Sequence, residues 1–453
     1  MSIRPVILIV PLISLGPAQA APLATYSCPA GTAGPHAAGV VLPTGMKSAT
    51  GNPARDLHRV VLSDPAAICN DGSPGVYYVR PGTTDPDKWH IHLMGGFSCT
   101  DEASCAERWC GDASGGASLS ELMSSDWTPD AAFFNGFADG SPRWGAANPL
   151  DGWTQVVVYY CGSDMHRGRA GATTLGGMDL DFAGGHILEA TLRDLQTGTV
   201  AVDTDGDGLD ESVPDLDYAT HVLLSGSSAG GVGAAQQADR IRGALRATNP
   251  EVPFRVVVDA AIIPKLQNWL TPAEAETVWT GFYNDQSVWL ADTDDSCLAA
   301  NASDPWRCED AGFVVKTALA TPVFVRSDLL DFLLFDGVDA VVQDAGYAAI
   351  TEADYASYMA DRLDEIATTV VSSNGVAAGA YGPMCRRHVG ITREDAALFQ
   401  LMEDPGVQLT FVDAVYDWMI GTGLNYSQLV DDYAVAEADT LSPSFLWLDS
   451  CPY

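Results

Sequence analysis

The stretch His221–Leu245, HVLLSGSSAGGVGAAQQADRIRGAL, restricts what this chain can fold into more than any other. A short apolar run, Val222-Leu223-Leu224, leads into Ser225-Gly226-Ser227-Ser228-Ala229-Gly230-Gly231. A small-residue, then amphipathic, segment follows and reads as a helix. Gly226-Ser227-Ser228-Ala229-Gly230 is therefore G-x-S-x-G between a strand and a helix, the setting of a nucleophile elbow. Side chains two positions either side of the central serine would strike the neighbouring strand and helix, so glycine is needed there. The turn strains the serine, lifts its hydroxyl above the sheet and aims the next amide, that of Ala229, at the reacting oxygen. Ser228 is the candidate nucleophile. A bare G-x-S-x-G arises by chance in Gly- and Ser-rich chains, so its weight comes from the strand before it and the helix after it.

Other segments fit the same architecture. Within 69–79, CNDGSPGVYYV, a turn feeds a strand, and Lys88–Leu93, KWHIHL, is a second strand ending in Met94-Gly95-Gly96-Phe97-Ser98-Cys99. Paired glycines after a strand let backbone N–H groups approach a substrate, as in the other half of an oxyanion hole, or simply make an ordinary Gly-Gly turn. Thr154–Tyr160 and Phe254–Asp259 are near-continuous apolar runs of buried parallel strands, Thr321–Ser327 is another strand, and Gly185–Leu195 reads as a helix. Amphipathic closing helices are expected at 391–403 and 407–420, an irregular lead-in at 21–60, and insertions able to wall a pocket near 100–150 and 280–310. The fold class is α/β, hydrolase-like, with a mostly parallel central sheet, helices on both faces and long loop insertions.

A serine hydroxyl needs a base, and the base needs an orienting carboxylate. In α/β hydrolases these follow in the order Ser, Asp or Glu, His. Of the eight histidines, only His388 lies beyond Ser228. The carboxylate stays open at this point. Asp259 ends the next strand and can equally be a cap or a supporting group, while Asp328, Asp331 and Asp336 follow the strand at 321–327. A loop after a late strand can reach a histidine beside the elbow, which favours the later group without choosing within it.

Residues 1–20, MSIRPVILIVPLISLGPAQA, join an early Arg4, a short apolar run and Ala18-Gln19-Ala20, the pattern of a secretory signal peptide. No later segment offers the roughly 18 apolar residues of a membrane span. The remainder, 21–453, reads as one exported domain with an acidic insertion at about 201–217. All 10 cysteines lie beyond the cleavage point, which favours disulfides over zinc. A formal charge of −36 argues against nucleic acid and anionic membrane surfaces as partners. Asp203, Asp205 and Asp207, closed by glycine, match the opening of a calcium loop, but Pro214 stands where its twelfth ligand belongs. The choice there is between structural calcium and an acidic surface hairpin; no cofactor is expected for catalysis.

Several pieces together resemble the pectin acetylesterase/Notum family of secreted serine hydrolases: CNDGSPGVYYV (69–79), HLMGGFSCTDEASCAERW (92–109), VVVYYCGSD (156–164), LLSGSSAGG (223–231), TPVFVRSDLLD (321–331), CRRH (385–388) and DSCPY (449–453). They fall in family order along nearly the whole chain. The resemblance implies Ser228, Asp331 and His388 as the triad and the amides of Gly96, Phe97 and Ala229 as oxyanion donors. It also implies disulfides Cys69–Cys161, Cys99–Cys105, Cys297–Cys308 and Cys385–Cys451, leaving Cys28 and Cys110 to pair. The chain departs from the family pattern at Met94 (usually Glu), at Ser98 (usually aromatic) and at Ala261 (usually Gly). The implied activity is ester hydrolysis by a secreted enzyme, with an O-acetyl group on a polysaccharide such as pectin as substrate; a monomer is expected. A lipid-chain deacylase or a broad short-chain esterase would share the mechanism. A catalytically idle, calcium-stabilised carbohydrate-binding exoprotein is the alternative of another class.

Overall fold

A computed structural model of the chain describes residues 21–32, 34–35, 46–111, 118–134, 148–391, 411–420 and 429–430. The leader at 1–20, all but the first residue of the helix expected at 391–403, and Cys451 lie outside the described residues.

Alternation of side chains along a strand builds the centre. On the elbow strand, Val222 and Leu224 enter one apolar layer while Leu223 enters another, and the neighbouring strands repeat this with Val256 and Val258 against Val257, and Val323 and Val325 against Phe324. Burying each such side chain is worth about 1.5–3 kcal/mol, so register is fixed from both faces.

Among the described residues the sheet has 11 strands. Its strands in chain order are β1 (Met46–Ser48), β2 (Leu57–Val61), β3 (Val76–Arg80), β4 (Asp85–Leu93), β5 (Ala131–Phe134), β6 (Trp153–Val158), β7 (His221–Ser227), β8 (Phe254–Asp259), β9 (Val323–Arg326), β10 (Gly379–Gly382) and β11 (Leu429–Val430). Across the sheet they run β11-β10-β9-β8-β7-β4-β6-β3-β2-β5-β1. Pairing is parallel from β11 through β6 and antiparallel from β6 to β1. The longer helices are α1 (Glu102–Cys110), α2 (Gly184–Leu195), α3 (Ala229–Thr248), α4 (Pro272–Asp285), α5 (Phe332–Asp344), α6 (Glu352–Thr369) and α7 (Phe411–Ile420). Apolar residues of α2, α3 and α6 pack in the layer holding Leu224, and those of α7 in the layer holding Leu223. The central position of β7 puts the elbow in the middle of the parallel half.

Two expectations change. The 21–60 lead-in is not irregular throughout, because it carries β1 and β2. Neither is long enough to announce itself, and both are strands by virtue of antiparallel pairing with β5 and β3. The 100–150 insertion likewise contains α1 and β5, α1 starting at a capping box in which Asp101 accepts from the Ser104 amide.

Disulfides join Cys28–Cys110, Cys69–Cys161, Cys99–Cys105 and Cys297–Cys308, and Cys385 is also disulfide-bonded. The acidic segment is a hairpin, Ala201–Val202 pairing antiparallel with Glu211–Ser212. In its turn the ligand atoms of Asp203, Asp205 and Glu211 lie within 4.8 Å of one another, and Asp207 is not part of that group. The Asp207 carboxylate is instead turned to the Leu209 amide at 2.8 Å. Asp203 accepts from the Gly206 and Gly208 amides, and Glu211 from the Thr204 amide and hydroxyl, so the turn is held by its own backbone.

Candidate active site

Ser228 stands between β7 and α3 with φ 55° and ψ −122°, a backbone conformation that costs a non-glycine residue about 1–3 kcal/mol. Its amide donates to the Asp259 carbonyl at 2.9 Å, and its carbonyl accepts from the Val232 amide at 3.0 Å, which locks the turn to β8 and to the first turn of α3. The flanking glycines are steric necessities. A Cβ on Gly226 would lie 2.0 Å from the Gly230 carbonyl oxygen, and one on Gly230 would lie 2.1 Å from the Leu93 carbonyl oxygen. Ala229 opens α3, so its amide is one of the unpaired N–H groups of a helix start, where developing negative charge is favoured.

His388 lies on the loop after β10. Its Nδ1 is 2.9 and 3.0 Å from the two carboxylate oxygens of Asp331, which is fully buried. A carboxylate flanked by donors accepts, so Nδ1 carries the proton and Nε2 presents a lone pair. Nε2 is buried and, among the described residues, has no hydrogen-bond partner. Asp331 is fixed in turn as the N-cap of α5, accepting from the amides of Leu333 and Leu334 at 3.1 Å each. Ser228 and His388 line the same cavity of about 510 Å³, although no hydrogen bond joins them. Such bonds are often long before substrate arrives. Phe97 and Ala229 line the cavity too, and apolar side chains from α3 (Val232), α4 (Trp279, Phe282) and α5 (Leu333, Leu334) wall it.

The other carboxylates that the sequence left open have separate work. Asp259 and Asp328 are fully buried and share the equally buried Arg326, which donates to both. Asp328 also accepts from the Arg387 amide at 2.8 Å, and Asp259 from the Gly390 and Ile391 amides at 2.9 and 3.0 Å. The loop bearing His388 is thus gripped on both sides of the imidazole. Burial raises the Asp328 carboxyl to about 7, against the pull of Arg326. Asp336 lies on the exposed rim of the cavity. Arg326 was not singled out in the sequence, since an arginine in an apolar strand carries no catalytic pattern. Its one signal was a charge inside TPVFVRS.

A family model described as Pectinacetylesterase matches residues 53–441, which is most of the chain. The chain belongs to the pectinacetylesterase family. Among the curated relatives of this family member, the Drosophila melanogaster palmitoleoyl-protein carboxylesterase NOTUM is 27% identical over 357 residues, covering 77% of this chain and 47% of that protein. Pectin acetylesterase 5 of Arabidopsis thaliana is 27% identical over 283 residues, 61% of this chain and 58% of that one. The chain spans about half to two thirds of the length of the curated relatives it matches. A solved structure of the Wnt deacylase Notum from Drosophila has the same fold, with a TM-score of 0.63 at 23% identity over 81% of this chain and 94% of that one. Within this pectinacetylesterase fold, the departures at Met94 and Ala261 fall on a buried side chain and on the cavity wall, and Ser98 also lines the cavity.

Proposed function

We propose that this chain is a serine carboxylesterase with Ser228 as nucleophile, His388 as general base and acid, and Asp331 as the orienting carboxylate. The observation that carries this is the His388 imidazole, which is held at Nδ1 by Asp331, lines the same cavity as Ser228 and has no hydrogen-bond partner at Nε2 among the described residues. His388 takes the proton from Ser228 as its oxygen attacks the ester carbonyl. Asp331 stabilises the imidazolium that forms. The amides of Gly96, Phe97 and Ala229 receive the oxyanion, each worth about 10²–10³-fold in rate. His388 then protonates the departing alcohol, and water, activated by the same imidazole, releases the acid.

The cavity argues for an aliphatic acyl group longer than acetyl. Its volume of about 510 Å³ lies in the range of roughly 300–1,000 Å³ that holds whole small-molecule ligands. Its wall is mainly apolar, and an acetyl group would leave most of it unfilled. Hydrolysis of O-acetyl groups on a polysaccharide such as pectin is the second reading, favoured by the description of the matching family model. The disulfides and the sequence of the leader support export to an oxidising compartment. No described helix is long and apolar enough to cross a membrane.

A p-nitrophenyl ester series from C2 to C16, run beside acetylated pectin and xylan on wild type and Ser228→Ala, tests this reading. Expected are loss of hydrolysis in Ser228→Ala and a rise of kcat/KM beyond C2. Activity confined to C2 and acetylated polymers selects the polysaccharide reading. Equal rates in both proteins remove the esterase.

A further inference from the structure

We propose that Tyr160 and His166 are positioning residues that hold the loop Met94–Phe97 in the shape of an oxyanion hole before substrate binds. The inference rests on the esterase reading and deepens it.

The loop cannot hold this shape by itself. Phe97 has φ +59°, in the left-handed region, although it is a bulky residue with half its surface exposed and so little packing to fix it. Such a conformation costs about 1–3 kcal/mol and persists only where surrounding groups over-determine it. Two groups on the segment after β6 do so. The Tyr160 hydroxyl donates to the Phe97 carbonyl at 2.6 Å while accepting from the Met165 amide at 2.9 Å, so its orientation is fully spoken for. At the other end of the loop, His166 Nε2 is 2.9 Å from the Met94 carbonyl. A carbonyl only accepts, so Nε2 carries the proton, and burial keeps this imidazole neutral down to about pH 4. The two rings pack with centroids 4.8 Å apart, so the two bonds are made by one unit.

Between these anchors lie Gly95 and Gly96, which press onto the nucleophile and onto the brace. A Cβ on Gly95 would fall 2.6 Å from the Ser227 carbonyl oxygen and 3.0 Å from Ser228 Cβ. One on Gly96 would fall 3.0 Å from the Tyr160 ring. The bracing segment is itself built under constraint. Ser163, Met165 and His166 all have positive φ, and Asp164 at their centre accepts from the Gly184 amide at 2.6 Å. Gln237 on α3 donates to the His166 carbonyl at 2.6 Å, which ties the segment to the helix whose first amide is the third donor. The brace, the loop and the elbow are therefore one connected piece.

Removing the Tyr160 hydroxyl frees the Phe97 carbonyl. Phe97 then relaxes to negative φ, and its amide turns away from the oxyanion.

Tyr160→Phe deletes one oxygen and keeps the ring, and His166→Gln keeps an N–H donor that His166→Ala removes. For each, kcat and KM on the best p-nitrophenyl ester are measured with the Ki of a trifluoromethyl ketone, which forms a tetrahedral adduct on the serine. The expected result for Tyr160→Phe is a fall in kcat of about 10²-fold, KM within about twofold, and a Ki raised by the same factor as kcat/KM falls. His166→Gln should retain more activity than His166→Ala at matched Tm. The proposal is overturned if a folded Tyr160→Phe keeps kcat and ketone Ki within twofold of wild type, or if KM alone changes. It is also overturned if His166→Gln and His166→Ala lose kcat equally at matched Tm. A wild type without Ser228-dependent hydrolysis overturns the esterase reading first, and is recognised separately by the Ser228→Ala control.

Discussion

Asp331 and Asp259 were both candidates for the carboxylate behind the histidine, and their surroundings divide the work between them. Asp331 meets the His388 ring at Nδ1 and is aimed by two amides of α5. Asp259 never meets the ring. It accepts from the Gly390 and Ile391 amides and from Ser227, and pairs with Arg326. The two asparagine variants should therefore fail differently. Asp331→Asn leaves the geometry but offers Nδ1 an N–H instead of an acceptor, and kcat should fall by about 10⁴-fold with little change in Tm. Asp259→Asn removes half the charge that neutralises a fully buried guanidinium, at a cost of about 3–5 kcal/mol. Its Tm should fall clearly, and its kcat less than that of Asp331→Asn. Thermal melts beside steady-state kinetics check both; the reverse pattern would reassign the two carboxylates.

At the scale of elements, the strand–turn–helix of β7 and α3 was legible because its demands are local. Apolar alternation, paired glycines and a long run of small residues are visible in the sequence, and each maps to a contact. Gly230 meets the Leu93 carbonyl, whereas an added Cβ at Gly243 on the same helix would meet no described atom within 4 Å beyond its chain neighbours and the local helix backbone. Gly230→Ala should abolish activity and lower Tm. Gly243→Ala should raise stability by up to about 1 kcal/mol, through helix propensity alone, with activity unchanged. Denaturant melts and an ester assay on the two variants check this. Equal effects would mean that the elbow is not sterically constrained. Less legible were β1 and β2: both pair with β5, more than 70 residues further on, and β2 also pairs with the next strand, β3. Least legible was Arg326, because its reason for being in β9 is a pair of carboxylates and a loop that only the assembled sheet brings near.

Across the whole molecule, the site is an outcome of topology. Ser228 comes from the centre of the sheet, Asp331 from the loop two strands away after β9, and His388 from the loop after β10. The order rule for such folds made His388 legible from position alone, and the family resemblance, not the residues, singled out Asp331. Reading the sequence gave no account of the Tyr160–His166 brace, since the left-handed Phe97 that it supports shows only in three dimensions. The acidic balance of the chain, −36 in all, is carried mostly outside the site. The proposed outcome of this assembly is one serine made nucleophilic by one imidazole. The direct measurement is fluorophosphonate labelling of the native protein followed by peptide mass spectrometry, on wild type and His388→Ala. The account predicts a single adduct on Ser228 in wild type and little or none in His388→Ala or in urea-unfolded protein. An adduct on another residue, or undiminished labelling of Ser228 without the imidazole, would contradict it.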